Sequence, residues 1–182
     1  MKKTPTIFNR NLENMKEVLN TKHKDCEWVF RGEGTATRKY DGTCCLVKEG
    51  KLWKRREVKQ GKRVPENFEL VDHDKVTGKS VGWVPVTDEG EDVWHRAAFV
   101  RGSYPDGTYE LCGPKVQGNP EGLTEHILIP HKEATVYSDV VRTFDGLKSF
   151  FSDKDIEGIV FHHPDGRMAK IKKRDFGLAR KH

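Results

Sequence analysis

No run in the 182 residues approaches the roughly 18 consecutive apolar residues that a membrane-spanning helix needs, so nothing is expected to cross a bilayer. The N-terminal Met1-Lys2-Lys3-Thr4-Pro5 is followed by no apolar stretch of the kind that drives secretion, and the chain is expected in the cytoplasm. Cysteine is scarce. Cys26, Cys44, Cys45 and Cys112 show no C-x-x-C spacing, which argues against a zinc knuckle or a thioredoxin-type motif. Cys44 and Cys45, on a strand, point to opposite faces and cannot share one metal, so all four are expected as reduced packing residues. Catalytic signatures are missing too. The eight histidines form no H-E-x-x-H pair, and no Ser or Cys sits in a G-x-S-x-G elbow. Thr77-Gly78-Lys79-Ser80 has the ending of a phosphate-binding loop, but His73 stands where its first glycine belongs and no strand leads into it. With no internal repeat, low-complexity tract or Pro/Gly linker, residues 1–182 are expected to form a single domain.

What is present describes a chain able to bury a core. Hydrophobic residues make up 35% and aromatic residues 9%, which argues against disorder despite a mean hydropathy of -0.77. The net charge of +5 is unevenly spread. Residues 51–63 and 167–182 each carry seven Lys/Arg against one acid, +12 together, so the rest of the chain holds −7. Two cationic segments on an acidic body suggest a phosphate-binding face.

Short strands joined by hairpins dominate the pattern. Thr43–Val47 and Leu52–Val58 read as a hairpin around Glu49-Gly50. Gly158–Phe161 and Met168–Lys172 read as another, across His163-Pro164-Asp165-Gly166, with His162-His163 facing solvent. Cys26–Phe30, Tyr109–Cys112 and Ile127–Ile129 read as further strands. Residues 64–92 look loop-rich, interrupted by the apolar stretch Val81–Val86. Helices are expected at Asn11–Asn20, with Leu12, Met15 and Leu19 on one side, and around Leu147, Phe150 and Phe151. The class is α+β with mainly antiparallel sheets.

The constellation that carries chemistry begins at Lys39-Tyr40-Asp41-Gly42, which fits K-x-D-G. Three fixed positions recur by chance in about one chain in 25 of this length, so the tetrapeptide alone says little. Downstream, in order, come Glu110 in YELCG, Glu157 in EGIVF, and Lys170 and Lys172 in KIKK. Taken together the set resembles the covalent nucleotidyltransferase superfamily of polynucleotide ligases and mRNA capping enzymes. In particular it resembles the ATP-dependent 5′-to-3′ RNA ligase 1 family known from vertebrates. The shared stretches are KYDGTCC, LWKR, GWVPV, Trp94-His95, QGNPEG, LIPH, IEGIVFHHPDG and the final FGL, and they span residues 37 to 178.

The resemblance implies an ATP-grasp-like nucleotidyltransferase domain, with two antiparallel sheets and the nucleotide between them. It makes Lys39 the nucleophile that forms lysyl-AMP. A Lys must lose its proton to attack a phosphate, yet an exposed one has a pKa near 10.4; neighbouring cations, a metal ion and partial burial favour the neutral amine. Lys170 and Lys172 are two apart, so on a strand they share a face, where a triphosphate between them relieves their repulsion. A two-residue loop at Pro164-Asp165 would put Glu157 directly across from Lys172; a type I turn with a glycine bulge would shift the register by one and turn Glu157 away. The first is adopted, because a carboxylate beside the phosphates can hold Mg²⁺ or Mn²⁺. By the same resemblance Glu110 meets the ribose hydroxyls and Arg55 contacts the phosphate or sugar. His131, in HILIPH with Tyr137 behind it, stacks on the adenine. Arg38 stands where many ligases have Glu or Thr near the adenine, leaving its backbone to meet the base.

The reading that follows is an ATP-dependent RNA ligase joining 5′-phosphate and 3′-hydroxyl ends, or nicks, in RNA. A capping guanylyltransferase or DNA ligase is the alternative enzyme; those usually carry an oligonucleotide-binding barrel after the last motif, and only ten residues follow Lys172. A non-catalytic RNA-binding module is the alternative of another class, and it has no reason to keep Lys39, Glu157 and Lys170 in order.

Overall fold

In the computed structural model, which describes residues 2–181, the chain runs β1 (Phe8–Asn11), β2 (Asn14–Lys22), α1 (Glu27–Phe30), β3 (Thr35–Lys39), β4 (Thr43–Lys48), β5 (Lys51–Val58) and β6 (Glu69–His73). It continues through β7 (Ser80–Pro85), α2 (Val93–Phe99), β8 (Gly107–Cys112), β9 (Ile127–Pro130), α3 (Phe144–Ser152), β10 (Gly158–His162) and β11 (Met168–Lys172). Met1 and His182, the ends of the two terminal segments discussed above, lie outside the described residues. Every ladder between these strands is antiparallel, so the α+β class with antiparallel sheets holds. Among the described residues no helix is long and apolar enough to cross a membrane.

The residues group into two compact units. One, the inserted unit, is essentially Asp41–Glu133, with residues 2 and 3. The other, the split unit, is Thr4–Tyr40 together with residues 134–181.

The inserted unit is a six-stranded sheet in the order β6-β7-β5-β4-β8-β9. The β4–β5 hairpin turns where expected. Glu49 (φ 52°) and Gly50 (φ 74°) both take left-handed backbone, as a two-residue turn matched to strand twist demands. Alternation then sorts the side chains. Cys45, Val47, Leu52, Tyr109, Leu111 and Leu128 fall on one face and pack with Ala98 of α2. Lys54 also falls on this face, and the fully buried Asp92 receives it. Asp92 accepts from the Thr87 amide and hydroxyl as well, both at 2.8 Å. Burial alone would raise its pKa, but Lys54 and Thr87 hold the carboxyl below its ordinary value. β6 lies in the stretch expected to be loop; it is an edge strand with exposed Leu70, so its sequence has little apolar alternation to show. β6, ending at His73, does lead towards Thr77-Gly78-Lys79-Ser80, but the stretch is the end of the β6–β7 connection with Ser80 opening β7, and Asp74 accepts the amides of Val76 and Thr77.

The split unit holds the sheet β11-β10-β3 and the β1–β2 hairpin. The chain before β1 extends the sheet past β11: the Ile7 amide donates to the Lys170 carbonyl and the Lys170 amide to that of Pro5. Ala36, Ile159, Phe161, Ala169 and Ile171 line the buried face, against Leu147 and Phe151 of α3, the helix expected there.

Three expectations fail in this unit. Asn11–Asn20 is not a helix: it is the β1–β2 turn and most of β2. The helical spacing of Leu12, Met15 and Leu19 is misleading, for they are 86, 59 and 43% exposed, and Val18 is the buried residue of the strand. Cys26–Phe30 is not a strand but a helical turn followed by α1, begun by His23, whose Nδ1 accepts the Asp25 amide at 3.1 Å. The last carbonyls of α1 and the loop after it find a donor far away in sequence. Arg142 reaches the carbonyls of Val29, Glu33 and Gly34, a partner no local pattern could announce. His162 and His163 do not face solvent freely: His162 lies 3.0 Å from the Thr37 hydroxyl, and His163 meets Glu33 at 3.0 Å and packs edge-on against Trp28. The cysteines are all free thiols; Cys26, Cys45 and Cys112 are buried, and burial pushes the Cys26 thiol up to about 11.

Candidate functional site

Sheet register decides which side chains meet. Gly158 pairs with Lys172 on one side and Lys39 on the other; Val160 pairs with Lys170 and Thr37. Residues directly opposite share a face, so Lys39, Lys170 and Lys172 stand on one face of the three-stranded sheet, away from its core. This register is not the one adopted from the sequence. Gly166 has φ 97°, the Gly166 amide returns to the His163 carbonyl, and His163 pairs with Arg167, which is a turn with a glycine bulge. The pairing is therefore shifted by one, and Gly158, not Glu157, lies across from Lys172.

Yet Glu157 is not turned away. It sits just before β10, where its carbonyl accepts the Lys173 amide, and its carboxylate reaches the lysine face. One oxygen is 2.9 Å from Lys39 Nζ and the other 3.7 Å from Lys172 Nζ. A Cβ at Gly158 would fall 2.4 Å from the Ile171 carbonyl oxygen and 3.0 Å from the Lys172 Cα. Gly158→Ala should therefore pry β10 from β11 at the lysines and cost roughly 1–3 kcal/mol in a denaturant titration. An unchanged midpoint would show that the sheet end gives way without strain.

The lysine side chains differ in surroundings. Burial, then the neighbouring charges of Lys172 and Lys39, bring the Lys170 pKa down to about 8. Burial likewise lowers Lys172, opposed by Glu157. Lys39 is the more accessible of the two lysines that Glu157 touches, at 24% against 14%. Asp175, fully buried, accepts the Lys172 amide at 2.8 Å and so fixes the end of β11. Asp175 is the third residue of the helical turn Lys173–Phe176, and an acid there can accept the backbone N–H of the residue before the turn.

Arg38 alternates to the other face of β3. Its guanidinium lies over the Tyr40 ring at 4.7 Å, and its amide donates to the Thr135 carbonyl. The remaining expected residues belong to the inserted unit. There Arg55 of β5, Cys44 of β4 and Glu110 of β8 share the sheet face opposite its core, with Cys44 paired directly to Glu110. His131, just past β9, is held edge-on: Nδ1 is 2.9 Å from the Thr108 hydroxyl and Nε2 is 2.8 Å from Glu110. Tyr137 is in the split unit, packed against Phe150.

The two basic segments are less uniform than their composition. Lys54 is spent on Asp92 and Glu91. In the second segment Lys173 is buried with its ammonium on the Lys154 carbonyl, Arg180 reaches Asp155, and Arg167 pairs with Asp165. Arg174 stays exposed. Among the described residues no group of three or more His, Cys, Asp or Glu is placed to hold a metal ion.

No protein-family model matches the chain. Curated proteins do. RNA ligase 1 of Rattus norvegicus is 27% identical over 241 aligned positions, covering 89% of this chain and 72% of that protein. RNA ligase 1 of Mus musculus is 28% identical with the same coverage, and that of Danio rerio is 26% identical over 79% of this chain and 67% of its own length. The chain is thus similar to RNA ligase 1 proteins over most of its length.

Proposed function

We propose that this protein is an ATP-dependent RNA ligase, an ATP-grasp-like nucleotidyltransferase acting in the cytoplasm on RNA 5′-phosphate and 3′-hydroxyl ends. The observation that carries the reading is the cluster of Lys39, Glu157, Lys170 and Lys172 at one end of the β11-β10-β3 sheet. Three lysines beside one carboxylate make a poor structural device, because the one acid leaves an excess of positive charge that a bound anion offsets. A nucleotide triphosphate is such an anion.

In the first step Lys39 gives up a proton to solvent and its amine attacks the α-phosphorus of ATP; a P–N bond forms, the bond to pyrophosphate breaks, and its electron pair leaves on the pyrophosphate oxygen. Lys170 and Lys172 offset the charge that grows on the departing phosphates, an electrostatic role suited to a preorganised site. An RNA 5′-phosphate then takes the AMP from Lys39, and a 3′-hydroxyl displaces AMP to seal the strand. Glu157 holds Lys39 Nζ in place before reaction. As a single carboxylate it fits Mg²⁺, which commonly takes one or two protein carboxylates and completes its shell with phosphate oxygens and water. Bound there, Mg²⁺ would neutralise phosphate charge. For the nucleoside we assign Glu110 to the ribose hydroxyls through the oxygen not facing His131, Arg55 to the sugar or phosphate, and the open faces of His131 to the base. Arg38 fixes β3 next to Lys39, its amide on Thr135.

The test is sealing itself. A 5′-labelled RNA phosphate incubated with protein, ATP and Mg²⁺ should become resistant to phosphatase as it joins a 3′-hydroxyl end. Label that stays phosphatase-sensitive defeats the reading; activity with GTP alone would move it to capping chemistry.

A further inference from the structure

The split unit carries a groove that the lysine cluster does not account for. Its volume is ≈ 650 Å³, and Arg10, Lys16 and Arg174 line it against a single acid, Glu17. Met15 and Leu178 add apolar surface. We infer that this groove binds the 5′-phosphorylated terminal nucleotide of the RNA strand, an inference that rests on the ligase reading above.

Three features point the same way. First, the groove is tied through Arg10 to the strand that carries two of the site lysines. Arg10 donates from one guanidinium nitrogen to Asp175 at 2.6 Å and from the other to the Thr6 hydroxyl at 3.3 Å. Thr6 pairs with Lys170, and Asp175 holds the Lys172 amide, so Arg10 is tied to the backbone of both site lysines. The guanidinium keeps further N–H donors beyond those two bonds, and its side chain is partly exposed in the groove. Secondly, Lys16 and Arg174 are exposed and form no ion pair among the described residues, so their charge is available to a ligand. Arg174 is close enough to Lys172 to depress its ammonium, which puts the cationic wall beside the reacting end of the sheet. Thirdly, cations bordering apolar surface suit a nucleotide, whose phosphate is anionic and whose base is flat and apolar. A terminal phosphate monoester bears more charge than an internal diester and gains more from Arg10 and Arg174 together.

Such placement brings the 5′-phosphate to lysyl-AMP. A phosphate oxygen forms a new P–O bond to the AMP phosphorus, the P–N bond breaks, and its electron pair returns to Lys39 Nζ, which takes a proton from water. The product is an RNA whose 5′ end carries AMP through a pyrophosphate linkage.

Binding of a 5′-phosphorylated oligoribonucleotide and of its 5′-hydroxyl twin, followed by anisotropy with the full chain and no ATP, tests the groove alone. The wild-type protein should prefer the phosphorylated strand. Arg174→Glu or Lys16→Glu should erase that preference, by about tenfold, and reduce the salt dependence by about 0.7 in log–log slope for each phosphate that is no longer neutralised. Arg174→Lys should keep it, and so should Lys148→Glu, an equal charge reversal on exposed α3 surface. Equal loss for both strands, or no loss for either, overturns the inference, as does a groove variant whose defect is confined to ATP binding. Failure of AMP uptake in the wild type would instead defeat the ligase reading, and the preference for phosphorylated RNA would still be measured separately.

Discussion

Lys39→Ala should abolish covalent uptake of AMP when the protein is incubated with α-labelled ATP and Mg²⁺, a loss of at least about a thousandfold, because alanine leaves no nucleophile at the end of β3. The expectation is specific because two other lysines stand close by. Lys170 has its pKa brought down to about 8, chiefly by burial, and is on that ground alone readily neutral. It is, however, set back on the strand, opposite Val160, whereas Lys39 ends β3 and meets the carboxylate of Glu157 at 2.9 Å. Intact mass and peptide mapping decide between them. Label on Lys39 that disappears in Lys39→Ala supports the assignment. Label that survives in Lys39→Ala and vanishes in Lys170→Met transfers the nucleophile to Lys170 and sinks it.

The site is easier to read from the sequence than the fold around it, and the reasons are physical. Lys170 and Lys172 share a face because strand periodicity is two, and a short turn between β10 and β11 makes that pairing local. The register escapes the sequence because His163-Pro164-Asp165-Gly166 allows both a two-residue loop and a bulged turn, and only Gly166 at φ 97° separates them. Glu157 reaches the lysines anyway, because it lies outside the ladder; a rule about strand faces does not govern a residue before the strand. The β1–β2 hairpin is hidden for the opposite reason. Its exposed Leu12, Met15 and Leu19 happen to repeat with helical spacing, while one buried residue, Val18, is too little to reveal a strand. Even charge, the plainest property of the sequence, is redistributed by folding: Lys54 and Lys173 are tied to acceptors within the protein, and Arg174 keeps its exposure. Composition counts charges, but only packing says which of them remain for a ligand.

Between about pH 8 and 10.5 the ligand-free wild type should gain stability relative to Lys170→Met as pH rises. The buried thiols of Cys26 and Cys45, whose pKa values burial raises, act in the opposite direction in both proteins and cancel in the difference. Burial, with the charges of Lys172 and Lys39, lowers the folded-state pKa of Lys170 from 10.5 to about 8. Below pH 8 both folded and unfolded chains carry the proton, and the folded chain bears the full cost of a buried ammonium. Between the two values the folded lysine is neutral while the unfolded one is charged, so the unfolded chain binds more protons and unfolding becomes harder as pH increases. The shift sets an upper limit of about 3 kcal/mol on the rise. Lys172, lowered first of all by burial, adds in the same direction. Lys170→Met keeps the chain length, removes the charge, and leaves untouched the backbone bonds of residue 170 to Pro5 and Ile7. It should therefore be more stable than the wild type at pH 7, by up to the same amount, and nearly level with it above pH 10.5. Inorganic triphosphate should stabilise the wild type more at pH 7 than at pH 10, since its charge favours the protonated lysine, and Lys170→Met should weaken that difference. Urea titrations across the range check both statements. A stability difference between wild type and Lys170→Met that stays constant across the range would show that the ammonium of Lys170 is solvated and that the cluster holds no charge in want of an anion.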